Sequence, residues 1–145
     1  MSTDQPDAPA PQGDYRSALV HDGVIYTAGM TPRVDGELSV RGVVGATLSA
    51  QQAHAAAGIA AANALAAARS ALPAGVGIDR IRCMRMTVYI ACAPTFHELS
   101  AVADGASARI RDELGGDALP VRSAIGVQTL PSGSPVEIDL IAAFF

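Results

Sequence analysis

The sequence predicts an α+β domain with a mixed sheet carrying two helices on one face, and three observations point there. Tight-turn signals at Asp22-Gly23 and at Pro131-Ser132-Gly133-Ser134-Pro135 divide runs of Val, Ile, Tyr and Thr, the composition of hairpin strands. Two longer segments, residues 49–72 and 95–114, carry helix formers and capping-box spacings instead. The elements then fall in the order ββαβαββ, with hairpins at both ends and the helices between them.

Taken along the chain, residues 1–12 are rich in Pro, Asp and Ala without periodicity and read as a disordered tail without chemistry. Residues 13–145 then form a single domain. Strands at 15–20 and 24–28 flank His21-Asp22-Gly23 as a first hairpin. Residues 30–47, with Pro32, Asp35-Gly36 and further glycines, read as a loop with at most a brief strand at 41–44. Ser49 with Gln52 opens the first helix, and Pro73-Ala74-Gly75 ends it. Residues 81–92, rich in Val, Ile, Met, Tyr and Thr, read as a central strand. Thr95 with Glu98 opens a second helix after Pro94, and Gly115-Gly116 closes it. A final hairpin runs from Arg122 to the C-terminus, and strands apolar on both sides in places predict self-association.

Half of the 145 residues are hydrophobic but only 4% are aromatic, so the core must be built from Ala, Val, Ile and Leu, with helices lying tight on the sheet. A net charge of −4 with scattered arginines argues against a nucleic-acid surface, which draws on clustered cations. Lysine is absent, which removes Schiff-base chemistry, covalent pyridoxal phosphate and a P-loop lysine; no cofactor is expected. Cys83 and Cys92 have opposite parity in one strand, so they should face opposite sides and not bridge. A start of Ser2-Thr3-Asp4-Gln5-Pro6 lacks the basic-then-apolar form of a signal, so a cytoplasmic location is expected, and no apolar run reaches membrane-spanning length.

Charge and scaffold coincide in residues 119–141. Arg122 follows Pro120-Val121, and Glu137 lies just inside the last strand. A guanidinium matches a carboxylate plane, each charge-assisted bond contributing about 1.5–3 kcal/mol; the other reading of Arg122 is a surface residue at a strand start. Glu137 near apolar walls would have a raised pKa and could carry protons; the other reading is a solvated outer face shared with Asp139. A hairpin centred on Gly133 would leave Arg122 and Glu137 on opposite faces, so a bulge, a shifted register or a site shared between subunits is needed to join them. His21, His54 and His97 are too dispersed for a metal set. Ser123 has no base beside it and reads as a hydrogen-bond donor rather than a nucleophile, and Gly42-Val43-Val44-Gly45 is loop punctuation rather than a nucleotide fingerprint.

A wider set of residues carries a resemblance. Tyr15 after Gly13-Asp14, Ile25-Tyr26-Thr27-Ala28-Gly29, Asn63, Met86-Thr87-Val88-Tyr89-Ile90 and Phe96 lead to Pro120-Val121-Arg122-Ser123, Leu130-Pro131 and Val136-Glu137-Ile138. From about Gly13 onward the chain resembles the RidA/YjgF reactive intermediate deaminase family. The resemblance implies a chorismate-mutase-like fold and a homotrimer with ligand sites between subunits. It also implies metabolite damage control: cofactor-free hydrolysis of enamine and imine intermediates of small 2-amino acids to a keto acid and ammonia. By that resemblance Arg122 and the main chain at Ala124 hold the substrate carboxylate, with Ser123 beside them. Glu137 positions or activates water, and Tyr15 lines the pocket. Ala28 stands where the deaminases usually carry serine, Ala124 where cysteine is frequent, and Asp104 where asparagine is common. An added charge at Asp104 would oppose an anionic substrate by about 1 kcal/mol or more if desolvated. A non-catalytic trimer binding small carboxylic acids is the alternative, and a ribonuclease activity fits poorly with the acidic charge.

Overall fold

The structure is a computed structural model describing residues 7–145. Its main sheet holds five strands: β1 (Ala18–His21), β2 (Val24–Thr27), β5 (Ile81–Ala91), β6 (Val121–Val127) and β7 (Val136–Phe144). A two-residue pair, β3 (Arg33–Val34) and β4 (Glu37–Leu38), turns at Asp35-Gly36 inside the segment predicted as loop. The helices are α1 (Ala50–Ser70) and α2 (Leu99–Leu114).

α1 begins as its sequence demands. Ser49 Oγ accepts from the Gln52 N–H at 3.1 Å, and Gln52 Oε1 accepts from the Ser49 N–H at 2.9 Å. α2 does not follow its predicted box. It starts after Glu98, which makes no side-chain cap, while the Phe96 N–H closes a turn onto Ala93 O at 3.0 Å. Phe96 packs against the core and over Gly45. Sheltering an aromatic ring contributes more than the roughly 1 kcal/mol of a cap, so packing decides where the helix starts.

The sheet order is β1-β2-β7-β5-β6, with β5 and β6 parallel and the other neighbours antiparallel. β6 and β7 therefore form no hairpin; β5 lies between them. β5, α2 and β6 make a crossover unit, and the linker to β7 is tied elsewhere. Gly42 N–H donates to Gly133 O at 3.0 Å and Arg41 Nε to Ser132 O at 3.2 Å, so the linker is held against the 41–42 loop rather than as a turn between paired strands.

One face of the sheet is the core. Ile25, Met86, Val88, Ile90, Ile138 and Leu140 are buried there beneath the alanine side of α1 and Val102, Ala106 and Ile110 of α2. The helices approach so closely that Gly105 faces the His54 carbonyl with no space for a Cβ. A bulge at Met84 shifts the register between Cys83 and Arg85, so β5 changes phase midway. Cys83 is buried with the helix-side residues, and Cys92 Sγ sits beside Gly126 on that side too. The two thiols do not face opposite ways as parity predicted, because alternation is broken between them. Both are free cysteines, and burial pushes the Cys83 thiol up to about 11.

The opposite face bears Tyr26, Arg85, Tyr89, Val121, Ile125, Glu137 and Asp139, and no element of the described residues covers it. Part of the segment predicted as a disordered tail, residues 1–6, lies outside the described residues. Residues 7–12 run along the body, and Ser17 Oγ donates to Pro9 O at 3.3 Å.

Candidate functional site

Glu137, the second residue of β7, is half-buried at the end of the sheet where the chain passes from β2 into Gly29. Met30 and Ile138 exchange backbone hydrogen bonds of 2.7 and 2.9 Å, which pins that passage beside Glu137. Gly29 is required by proximity: a Cβ there would stand 2.6 Å from Glu137 Cδ. The carboxyl enters a cavity of about 110 Å³ lined by Tyr15, Arg33, Ser132 and the passing segment Pro9–Gln12. Burial, and then the charge of Asp139, holds the Glu137 carboxyl above the ordinary carboxylate range. Asp139 is raised as well, by burial, partly offset by Tyr89, Arg85 and Thr87 beside it. Tyr15 receives the Gln12 N–H on its hydroxyl oxygen at 3.0 Å, which leaves the phenolic hydrogen to donate.

Arg33 was not singled out in the sequence, where it sat in a loop. The structure fixes it from several sides. Asn63, buried in α1, donates through Nδ2 to Thr31 O at 3.0 Å and Arg33 O at 2.9 Å. The guanidinium donates from Nη1 to Gly36 O at 2.9 Å and from Nη2 to Ser132 Oγ at 3.4 Å. Its Nε is enclosed without an acceptor. Ser132 has φ of 60°, an uncommon conformation for a residue with a Cβ, and projects its hydroxyl to Arg33. The usable signal was Asn63, a polar residue in the middle of an alanine helix.

Arg122 lies elsewhere. In register it stands beside Met86 on the helix side, whereas Glu137 stands beside Tyr89 on the open side. The two therefore occupy opposite faces, as parity predicted, although both are positioned by β5 rather than by each other. Arg122 Nη1 donates to Asp104 Oδ1 at 2.9 Å and Ser107 Oγ at 2.8 Å; Nη2 donates to Ser100 Oγ at 2.8 Å and Ser100 O at 3.4 Å. All three partners belong to α2. Within one chain the arginine is matched by its own helix.

The remaining predicted positions scatter. Ser123 Oγ accepts from Arg85 Nη2 at 2.6 Å on the open face. Ala124 and Ala28 are partly buried against the core. Tyr15 and Glu137 thus share a cavity, Arg122 and Asp104 form an ion pair, and the other three stand apart. Among the described residues no three His, Cys, Asp or Glu side chains gather as a metal site.

A mixed five-stranded sheet with two helices on one side is the YjgF-like α+β class. The model of the family described as Endoribonuclease L-PSP matches residues 5–144, and the chain belongs to that family, the RidA/YjgF family. Protein TCP17 of Trypanosoma cruzi is 32% identical over 138 residues, covering 94% of this chain and 84% of the relative. The crystal structure of Atu1372 from Agrobacterium tumefaciens, a protein of unknown function, is 31% identical with a TM-score of 0.85, covering 91% of this chain and 82% of that one. The E. coli YjgF gene product shares the fold at 23% identity and a TM-score of 0.68, over 94% and 93% of the two chains. E. coli TdcF, crystallised with bound serine, does so at 24% identity and 0.67, over 95% and 94%.

Proposed function

We propose that the protein is a cofactor-independent hydrolase of enamine and imine intermediates of small 2-amino acids, releasing a keto acid and ammonia from clefts between the subunits of a homotrimer. The observation that carries this reading is Glu137: a half-buried carboxyl with raised proton affinity, lining one cavity with Tyr15 and seated where residue 29 has no side chain. A carboxyl whose proton affinity is raised serves both as base and, once protonated, as acid. It takes a proton from water as the oxygen adds to the imine carbon and passes it to the nitrogen, giving a carbinolamine; it then takes the hydroxyl proton as the carbonyl forms and delivers it to the nitrogen as the carbon–nitrogen bond breaks. Water and imine together supply every atom of keto acid and ammonia.

Arg122 is the anchor for the substrate carboxylate in this reading, with Ser123 and the main chain of Ala124 next to it. Arg122 and Glu137 lie on opposite faces of one sheet, so in this reading the pair that serves one substrate comes from two subunits. The uncovered face, with Val121 65% and Ile125 41% exposed, offers the apolar surface for that contact. The bound serine of TdcF is a small amino acid held on the same fold. Free thiols suit a reducing cytoplasm, and among the described residues no helix is long and apolar enough to cross a membrane.

The test is ammonia release from imines generated in situ by an amino-acid oxidase or dehydratase. A rate no faster with the protein than without it, across a panel of amino acids, defeats the reading; light scattering reports the trimer separately. One observation favours the alternative, a non-catalytic binder of small carboxylic acids. Asp104 already occupies Arg122 at 2.9 Å, where a substrate carboxylate would sit. Keto-acid binding without turnover would select that alternative.

A further inference from the structure

We propose that Arg33 binds a second acid group of the substrate, so that the site selects 2-imino acids whose side chain ends in a carboxylate. This rests on the deaminase reading and names its substrate class. Arg33 lines the cavity that holds Glu137, and the ion pairs among the described residues do not include it. Its one good side-chain bond goes to a neutral carbonyl, its bond to Ser132 is long, and its Nε has no acceptor. Glu137 lines the same cavity, and Asp7 and Asp35 line the recess adjoining it, but none of the three is ion-paired with the guanidinium, whose planar donor array fits a carboxylate.

The position is prepared as well as charged. Asn63 commits both amide hydrogens to the backbone on either side of Pro32, and the Asp35-Gly36 turn closes the hairpin so that Gly36 O meets the guanidinium. These contacts fix the side chain before a ligand arrives, which lowers the entropy lost on binding. Space is available: a second cavity of about 590 Å³ adjoins the first, and the two share Pro9, Ala10, Gln12 and Arg33. Arg33 therefore stands at the junction of the Glu137 cavity and a larger recess. With the 2-carboxylate on Arg122 of a neighbouring subunit and the imine carbon at Glu137, the substrate side chain is the group left to reach Arg33.

The experiment compares wild type with Arg33→Met and Arg33→Lys on imines made by amino-acid oxidases from glutamate or aspartate and from alanine or leucine. Loss of the charge should reduce kcat/KM for the acidic substrates roughly ten- to a hundredfold, the scale of a charge-assisted bond, and change the neutral ones less than about threefold. The lysine variant should recover part of the loss. An equal fall for both classes assigns Arg33 to structure and overturns the proposal, as does a wild type without preference for acidic imines. If no imine is turned over, the deaminase reading fails while calorimetry still tests Arg33. Wild type should bind 2-oxoglutarate or oxaloacetate at least tenfold more tightly than 2-oxobutyrate, a difference absent in Arg33→Met; equal affinities overturn the proposal.

Discussion

Arg122 and Arg33 make two opposite uses of the same side chain. Arg122 extends from an edge strand to α2, where a carboxylate and two hydroxyls satisfy its terminal N–H groups. Arg33 extends from a short hairpin beside Glu137, held by its backbone and by a neutral carbonyl, with no carboxylate of the described residues paired to it. The difference teaches that position in a conspicuous motif does not make a cation available. Availability depends on what the chain itself has already placed opposite the charge.

Glu137→Gln gives the largest expected effect on this comparison, because it removes the proposed proton carrier that the two arginines would serve. Turnover should fall about a hundred- to ten-thousandfold with unchanged secondary structure by circular dichroism. Retained turnover would detach the Glu137 region from the chemistry. Arg122→Ala should follow, with a loss of roughly ten- to a hundredfold in kcat/KM and an unchanged oligomeric state by light scattering, if the 2-carboxylate displaces Asp104. An unchanged rate would make Arg122 a strut between β6 and α2 only.

Asp104→Asn sharpens the contrast from the other side. It keeps hydrogen-bonding atoms beside Arg122 and removes the competing charge, so KM for an anionic substrate should fall about two- to tenfold with kcat little changed. A higher KM would mean that Asp104 orients Arg122 rather than blocks it. The smallest effect is on stability against pH. Glu137 and Asp139 bind protons more tightly in the folded chain than in the unfolded one. The folded state therefore loses stability as pH rises through their raised folded-state values. It gains as pH falls back toward the ordinary carboxylate range. Denaturant midpoints on either side of that window should show this gain in wild type and less of it in Glu137→Gln.

How much of this was legible differs by the range of the interactions involved. α1 was readable because its cap and its alanines are local, and the box formed at Ser49 and Gln52. The partner of β6 was not, because pairing β6 with β5 through a helix is a long-range choice that no turn residue announces. The bulge at Met84 carries no residue signal, so the parity of Cys83 and Cys92 was misjudged. Parity did separate Arg122 from Glu137 correctly, since no bulge lies between Met86 and Tyr89, the residues opposite them. Tyr15 and Glu137, which line one cavity, were singled out from motif residues; Arg33, which lines it too, was not, because its setting depends on Asn63, thirty residues away in sequence.

The strand of chain from Pro9 to Gln12 closes one side of both recesses around Arg33. Changes within this segment therefore alter a wall of the proposed binding cavity. Phe145, by contrast, rests on Arg80, with the ring 5.2 Å from the guanidinium, at the other end of the last strand from Glu137. Eight residues of extended chain separate the two, about 26 Å. Reporter groups and surface tethers therefore belong at the C-terminal end of this protein.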